Sequence, residues 1–216
     1  MNPAHHPDDS LLMAYGAGSL DLGQHVAIAT HLRGCGRCRA WARAMERVGG
    51  AMLADAPPAE LDEGAIDRAF ARIDEPAPAE ARAQSQAVAG DWPQRLPSFV
   101  RAYTLDPWRK LGPWVRAREI ALPQPGGTRV LLLESKPGAK VFAHTHGPLE
   151  WTCVLSGAFR HGGGRFGPGD FDAAEGGDHH APEIEEGENC LCLVAIQGEL
   201  RWQGLLGRLL QPFIRL

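Results

Sequence analysis

The 216-residue sequence predicts an α+β protein with two domains, an all-α N-terminal domain followed by an all-β C-terminal domain. First, apolar side chains recur at helical spacing within residues 8–73. Second, residues 74–91 contain few large apolar side chains, which is typical of an interdomain linker. Third, beyond this segment short β-rich runs alternate with Gly and Pro turns, a pattern that predicts a barrel or sandwich. We therefore place the two domains at residues 1–73 and 92–216, with the linker at 74–91.

Four helices are expected in the N-terminal domain, and turn-forming residues set their limits. Residues 8–10 supply N-cap candidates for the first helix, and Asp21 can cap the second helix. The second helix should break at Gly34, because glycine is a poor residue for a helix interior. The third helix should then run over about residues 38–53 and the fourth over about residues 60–73.

The third and fourth helices each carry an apolar stripe at helical spacing. The stripe of the third helix is most simply explained as part of the core of its own domain. The fourth helix follows a proline break and precedes the linker, so its stripe is a candidate contact surface for a partner. The stripe residues are Trp41, Met45, Val48 and Met52 on the third helix, and Leu61, Ala65, Ile66, Ala69, Phe70 and Ile73 on the fourth.

The composition limits the possible classes of function. The chain carries 22 basic and 26 acidic residues, and its net charge of −4 arises before Gly90. Direct binding to nucleic acid normally needs a basic face, so it is not expected. An acidic domain suits a basic protein partner, although a solvated surface explains the same charge. No stretch resembles a signal peptide or a membrane span, and two of the five cysteines have metal-type spacing, so we expect a cytoplasmic protein with reduced thiols.

A metal site is predicted by the run from His31 to Cys38. Cys35 and Cys38 offer two thiolates from one tight turn, a donor pair that suits tetrahedral Zn²⁺. His31 lies about one helical turn upstream and can supply a third ligand. We assign the fourth ligand to His6 and not to His5, because His6 lies closer to the first helix.

Two alternatives to this assignment stay open. His25 is a rival fourth ligand, but six residues before His31 it should point to a different face of the helix. The thiol pair could instead be a redox dithiol, although the βαβ context of such motifs is absent. The flanking basic residues should lower the pKa of both thiols, which would help metal binding and oxidation alike. They are Arg33, Arg37 and Arg39.

A second metal site is predicted in the C-terminal domain. His144 and His146 are two residues apart, so on a strand both side chains point to the same face. Glu150 follows a Gly-Pro turn and can return to that face on the next strand. A later strand can supply the fourth ligand, from His180 or from its neighbour His179. Three histidines and one glutamate suit a divalent cation such as Zn²⁺, Mn²⁺ or Fe²⁺.

These motifs resemble those of known families. The pattern Gly-x5-His-x-His-x3-Glu-x6-Gly over residues 138–157 resembles the first motif of the cupin superfamily, and residues 166–180 resemble the second motif. The His-x3-Cys-x2-Cys motif, set in a helical N-terminal region, resembles the zinc-dependent anti-sigma domain. In order and length the whole chain closely resembles the ChrR-type anti-sigma factors, which combine both domains.

The resemblance implies a regulator and not an enzyme. Its helical domain is expected to bind and inhibit an extracytoplasmic-function sigma factor. A cupin β-barrel over residues 92–216 is expected to sense singlet oxygen or related oxidative stress, after which the sigma factor is released. The alternative hypothesis is a metal-dependent cupin enzyme, either a dioxygenase or an isomerase. No membrane partner is expected, and the oligomeric state is left open.

The resemblance also implies the ligands of both metal ions. In the helical domain Zn²⁺ is expected on His6, His31, Cys35 and Cys38. In the cupin domain Zn²⁺ or another divalent metal (Mn²⁺ or Fe²⁺) is expected on His144, His146, Glu150 and His180. Two further cysteines, Cys190 and Cys192, are two residues apart and should share a strand face. They are either part of the sensing machinery or small buried apolar residues.

Overall fold

The computed structural model describes residues 2–75, 92–123, 127–141, 144–145, 147–175, 181–198 and 201–202. Within these ranges the helices come first: α1 Asp9–Gly16, α2 Leu22–Gly34, α3 Gly36–Ala54, α4 Ala65–Asp74, and a 3₁₀ helix Ser98–Ala102. The strands follow: β1 Thr104–Leu105, β2 Arg109–Lys110, β3 Val115–Ala121, β4 Thr128–Ser135, β5 His144–Thr145, β6 Leu149–Ser156, β7 Phe159–His161, β8 Gly164–Phe166, β9 Phe171–Glu175, β10 Glu183–Ile184, β11 Cys190–Gln197 and β12 Arg201–Trp202. The predicted order of an all-α part followed by an all-β part is confirmed. Most of the predicted linker, residues 76–91, lies outside the described residues, and the proposed domain limits stay a prediction.

The described strands form three antiparallel sheets. The largest has seven strands in the order β1-β3-β4-β11-β6-β9, with β2 pairing with β3 beside this path. The central strand β11 pairs with β4 on one side and with β6 on the other. The smaller sheets are β10-β7-β8 and β12-β5. The β-rich runs expected near β4, β6 and β11 therefore become the centre of the main sheet.

Local hydrogen bonds explain where the helices begin. Asp21 accepts a hydrogen bond from the backbone N–H of Gln24, and the Gln24 side chain accepts one from the backbone N–H of Asp21, which closes a capping box before α2. Cys35, in an extended conformation, separates α2 from α3, and its Sγ accepts from the N–H of Cys38. The helix α4 begins at Ala65, later than expected, because Gly64 has a left-handed conformation with φ 76°.

The helix α2 lies against the main sheet, and one cluster of buried apolar side chains spans both parts. Thr128 at the start of β4 donates a hydrogen bond to the Asp21 carboxylate (2.6 Å), and Gln197 at the end of β11 donates to the Thr128 hydroxyl (2.8 Å). Gly23 permits this close approach, since a Cβ there would lie 2.5 Å from the Thr128 carbonyl oxygen. The shared apolar residues include Val26, Ala27, Ile28 and Leu32 of α2, and Val130, Leu132, Leu193 and Ala195 of the sheet.

The second half of α3 and the apolar face of α4 lie at the surface. The helix α1 packs on the first half of α3, where Gly16 approaches Met45, but no described residue covers the second half. The expectation that the third-helix stripe is core is therefore wrong beyond Met45. Seven large apolar side chains here are each between 53% and 78% exposed, and we call them the exposed apolar residues of α3 and α4, including Leu61 of the segment that connects the two helices: Val48, Met52, Leu53, Leu61, Ile66, Phe70 and Ile73.

The described helices also differ from membrane-spanning helices. None of the described helices combines the length and the apolar character that crossing a bilayer requires.

Candidate metal centre

Four predicted ligands come together between the N-terminal segment and the junction of α2 with α3. The donor atoms of His6, His31, Cys35 and Cys38 all lie within 4.8 Å of one another. The Nδ1 atom of His6 is 3.4 Å from the Nε2 atom of His31, 3.5 Å from the Sγ atom of Cys35 and 3.4 Å from the Sγ atom of Cys38. In tetrahedral Zn²⁺ sites, bonds of about 2.0–2.3 Å separate neighbouring ligand atoms by roughly 3.3–3.8 Å. The three separations from His6 therefore match edges of such a tetrahedron, and the group fits a zinc site.

The group is buried, and burial controls the protonation of its ligands. His31 is fully buried, and Cys35 and Cys38 are each 2% exposed. Burial lowers the pKa of His31 to about 4, so its imidazole stays neutral, as a metal ligand must be. Burial and the hydrogen bond with Cys35 raise the pKa of Cys38 to about 12 in the protein without metal. A metal ion that binds here must therefore displace thiol protons, and its own charge then compensates the thiolates.

The expectation that nearby arginines lower the pKa of the thiols is wrong for Cys38. Arg37 does act in that direction, but its effect is smaller than those of burial and of the neighbouring thiol. The sequence shows the charges along the chain, but it does not show how completely a side chain is removed from water.

The structure separates the ligand candidates that the sequence left open. His5 is turned away from the group: its Nε2 atom is 3.1 Å from the Arg165 carbonyl oxygen, and its ring stacks on Phe166 with centroids 4.2 Å apart. His25 stacks on Tyr15 at 4.4 Å and also lies outside the group. Among the histidines of the N-terminal part, the geometry thus selects the two named in the initial assignment.

Two contacts that position this centre were not predicted. The Nδ1–H group of His31 donates a hydrogen bond to the Gly169 carbonyl oxygen (2.8 Å). The other ring nitrogen, Nε2, then carries the lone pair that can bind a metal ion. The Asp170 carboxylate accepts from the backbone N–H groups of Ala4 and His5. Both contacts join residues well over 100 positions apart, and no local spacing in the sequence signals them.

Only part of the second predicted metal site lies within the described residues. Glu150 on β6 is 8% exposed and lines a largely apolar cavity in the C-terminal part. The side chains of the predicted histidine ligands, His144, His146 and His180, and of the alternative His179, lie outside the described residues. The assignment of this site therefore stays a prediction.

Cys190 and Cys192 line the same cavity from β11. Their Sγ atoms are 3.7 Å apart, as expected for two side chains on one face of a strand. Both are buried free thiols, and the hydrogen bond with Cys190 together with burial raises the pKa of Cys192 well above its usual value. As a protonated thiol, Cys192 is a weak nucleophile.

The fold and the centre together define a class of protein: a helical module with a His₂Cys₂ group, packed on a cupin-like domain. Residues 99–199 match the family described as the ChrR cupin-like domain. The chain is 40% identical over 222 residues to the anti-sigma-E factor ChrR of Cereibacter sphaeroides, with all of both chains covered. A chain in the crystal structure of Rhodobacter sphaeroides SigE in complex with the anti-sigma ChrR is 35% identical, with a TM-score of 0.72 that covers 91% of this chain and 100% of that chain. The chain belongs to the ChrR family of anti-sigma factors.

Proposed function

We propose that this protein binds an extracytoplasmic-function sigma factor and inhibits it, acting as a regulator and not as an enzyme. The observation that carries the proposal is the set of exposed apolar residues of α3 and α4 in a member of an anti-sigma family. Single exposed apolar residues are ordinary, but seven large ones within residues 48–73 form a surface that a partner can cover.

The helix α4 resembles amphipathic helices that bind in an apolar groove of a partner protein. Ile66, Phe70 and Ile73 follow the i, i+4, i+7 pattern of one helical face and are 60%, 63% and 74% exposed. The helix has ten residues, and its N-cap Gly64 forms no side-chain hydrogen bond. Short helices without packing are marginal in water, so α4 gains most of its stability when a partner covers this face.

Zinc at the candidate centre is proposed as the structural link of the helical part. The four ligands join the N-terminal segment to the end of α2 and the start of α3. The binding free energy of a structural metal adds to the free energy of folding. An ion held by residues of both helices would also fix the orientation of α3 relative to α2, which packs on the sheet. That orientation determines where the apolar residues of α3 are presented.

The C-terminal part is proposed to hold a second divalent ion and to receive the oxidative signal. The support is a buried carboxylate, Glu150, in an apolar cavity that also contains the thiols of Cys190 and Cys192. His144, His146 and His180 would complete the ligand set. A sigma factor works with RNA polymerase, so we place the protein in the cytoplasm.

The first experiment is capture of partners from native cytoplasm on the tagged, zinc-loaded full chain. We expect one sigma factor in stoichiometric amount, followed by direct binding of that purified sigma factor in calorimetry. The double variant Ile66→Asp, Phe70→Asp should lower its affinity at least 100-fold, since aspartate cannot be buried in an apolar groove without a partner. Met13→Asp is the matched control, because Met13 is 52% exposed on α1 and is not one of the exposed apolar residues of α3 and α4.

The same preparation separates the proposal from the enzyme hypothesis. If a folded and metal-loaded chain captures no sigma factor, the anti-sigma proposal fails and the cavity becomes the candidate active site. Metal analysis completes the test: we expect two equivalents per chain, and Glu150→Gln should remove only the equivalent in the C-terminal part.

A further inference from the structure

The turn between β8 and β9, residues 167–170, contacts the N-terminal segment immediately before His6; we call it the β8–β9 turn. One oxygen of Asp170 accepts hydrogen bonds from the backbone N–H groups of Ala4 (2.6 Å) and His5 (3.0 Å). Its other oxygen accepts from Gly167 within the turn (2.7 Å), and the side chain is only 5% exposed. The first residue of β9, Phe171, donates its backbone N–H to the carbonyl oxygen of His5 (3.2 Å). Three hydrogen bonds therefore fix the main chain that carries His6.

The same turn also holds a second ligand of the candidate zinc centre. The carbonyl oxygen of Gly169 accepts the hydrogen bond from the Nδ1 atom of His31 (2.8 Å). Gly169 has φ +93°, and a Cβ there would lie 3.0 Å from the Pro3 side chain, so the turn and the N-terminal segment are in close contact. Two of the four ligands are thus oriented by the C-terminal part of the chain.

We propose that the β8–β9 turn completes the zinc centre, with Asp170 as a positioning residue that sets how firmly His6 holds the ion. The inference rests on the proposed function, because it assumes zinc at this centre. It adds a physical link between the two parts of the protein: a displacement of the turn loosens the metal that organises the sigma-binding helices. The turn leads directly into β9, which pairs with β6, where Glu150 lies opposite Ala174.

His6 depends on its main chain more than an Nε2 ligand would. Its donor atom is Nδ1, the ring nitrogen nearer to the backbone, so small shifts of the main chain move the donor directly. Residues around His6 belong to an N-terminal segment that precedes α1, where no helix or strand holds them. The hydrogen bonds to the β8–β9 turn supply that order instead. Removing a group that hydrogen-bonds to a metal ligand typically changes metal affinity by about 10- to 100-fold. Asp170 acts on His6 through the main chain, so we expect its effect at the lower end of that range.

The test compares zinc release from the full chain and two variants in the presence of an excess of a chromogenic chelator. Asp170→Asn has the same shape but presents an amide where the carboxylate accepts several N–H groups, and we expect zinc release about tenfold faster or more. His5→Ala removes the stacking on Phe166 without changing any proposed ligand or core residue, and release should accelerate by a smaller factor. Thr128→Val is the control, because it breaks a contact between α2 and the sheet away from the centre.

Cobalt substitution provides a readout that a general loss of stability would not produce. In the folded Asp170→Asn protein, the ligand-field bands of Co²⁺ at the thiolate site should shift, while the Thr128→Val spectrum stays as in the unsubstituted protein. Unchanged release and unchanged bands in both Asp170→Asn and His5→Ala would overturn the inference and leave sigma binding untouched. If the unsubstituted protein holds no zinc on Cys35 and Cys38, the inference and the zinc part of the proposed function fail together.

Discussion

The two apolar surfaces of the helical part differ in how they are partnered. The inner surface, on α2, is buried against the main sheet, with Val26 and Ile28 fully inaccessible and a polar contact from Asp21 to Thr128 at the edge. The outer surface, on α3 and α4, leaves residues such as Phe70 and Ile73 more than half exposed. The inner surface is therefore part of the folded chain itself, whereas the outer one is available to a second molecule.

This difference indicates how a small helical module can bind a partner while attached to a larger domain. The sheet supplies the packing that α2 needs, and the candidate metal centre lies where α2 meets α3. The outer helix α4 can then remain exposed, because its apolar side chains are not part of the buried core. A change at the inner surface should thus reduce the stability of the whole chain, and a change at the outer surface should reduce binding alone.

The largest effect is expected from loss of the metal centre, which should reduce the stability of the helical part that carries the inner surface. Cys38→Ser should remove zinc from the N-terminal part and unfold much of α1–α3, because structural zinc contributes about 10 kcal/mol or more to folding in small modules. Circular dichroism and metal analysis of the purified full chain measure both effects. Cys153→Ser is the matched control, since Cys153 is equally buried but lies on β6 outside the group; it should keep its zinc and lose only about 1–3 kcal/mol. A Cys38→Ser protein with normal zinc content and helicity would contradict the structural role of the centre.

The clustering of His6, His31, Cys35 and Cys38 could be predicted because its signal is largely local. Cys35 and Cys38 meet across a single turn, and His31 lies one helical turn away, so the spacing alone nearly determines the geometry. The choice of His6 needed only the position of the first helix. The ordering of an all-α part before an all-β part was equally accessible, because the period of apolar residues changes along the chain.

The interactions between the two parts could not be predicted in the same way. Asp170 and His5 are 165 positions apart, and the motif that contains Asp170 does not indicate that it contacts the N-terminal segment. The apolar stripe of α3 shows that the helix has one apolar face, but the period does not state what covers it; Met52 is 71% exposed. Likewise, the basic residues around Cys38 are visible in the sequence, while the burial that controls the pKa of its thiol is a property of the fold.

A smaller effect on the free energy of unfolding is expected when a glycine of the inner surface, and not one of an exposed helix face, is replaced by alanine. Gly23→Ala places a Cβ 2.5 Å from the Thr128 carbonyl oxygen and 2.8 Å from the Thr128 side chain, so α2 must move away from the sheet. We expect the free energy of unfolding to fall by about 1–3 kcal/mol. Gly50→Ala is the control in the exposed half of α3, where a Cβ meets no atom within 4 Å, and it should raise stability by up to about 1 kcal/mol. Denaturant unfolding of both variants checks the pair, and equal signs would show that α2 is not held against the sheet.

The smallest predicted effect concerns two histidines, one in each part, whose pKa values shift in opposite directions. The hydrogen bond with Asp172 (2.7 Å) raises the pKa of His161, whereas burial beside Tyr15 lowers the pKa of His25. The His161 contribution to stability is complete below the unfolded pKa of about 6.5 and is lost as pH rises through the folded pKa. The pKa of His25 is lower in the folded than in the unfolded state, so as pH falls the unfolded state binds the proton at a higher pH. Stability is therefore lost as pH falls below about 6.5.

The two substitutions should therefore change the pH dependence of stability with opposite signs. Relative to the unsubstituted protein, His161→Gln should lose more stability at about pH 6 than at about pH 8, by up to about 1 kcal/mol. His25→Gln should instead gain relative stability at about pH 6, because it removes the proton uptake that favours the unfolded state. Differences between each variant and the unsubstituted protein, taken at both pH values, cancel the contribution of the metal ligands. A His161→Gln difference that does not change with pH would show that the contact with Asp172 does not depend on a charged imidazole.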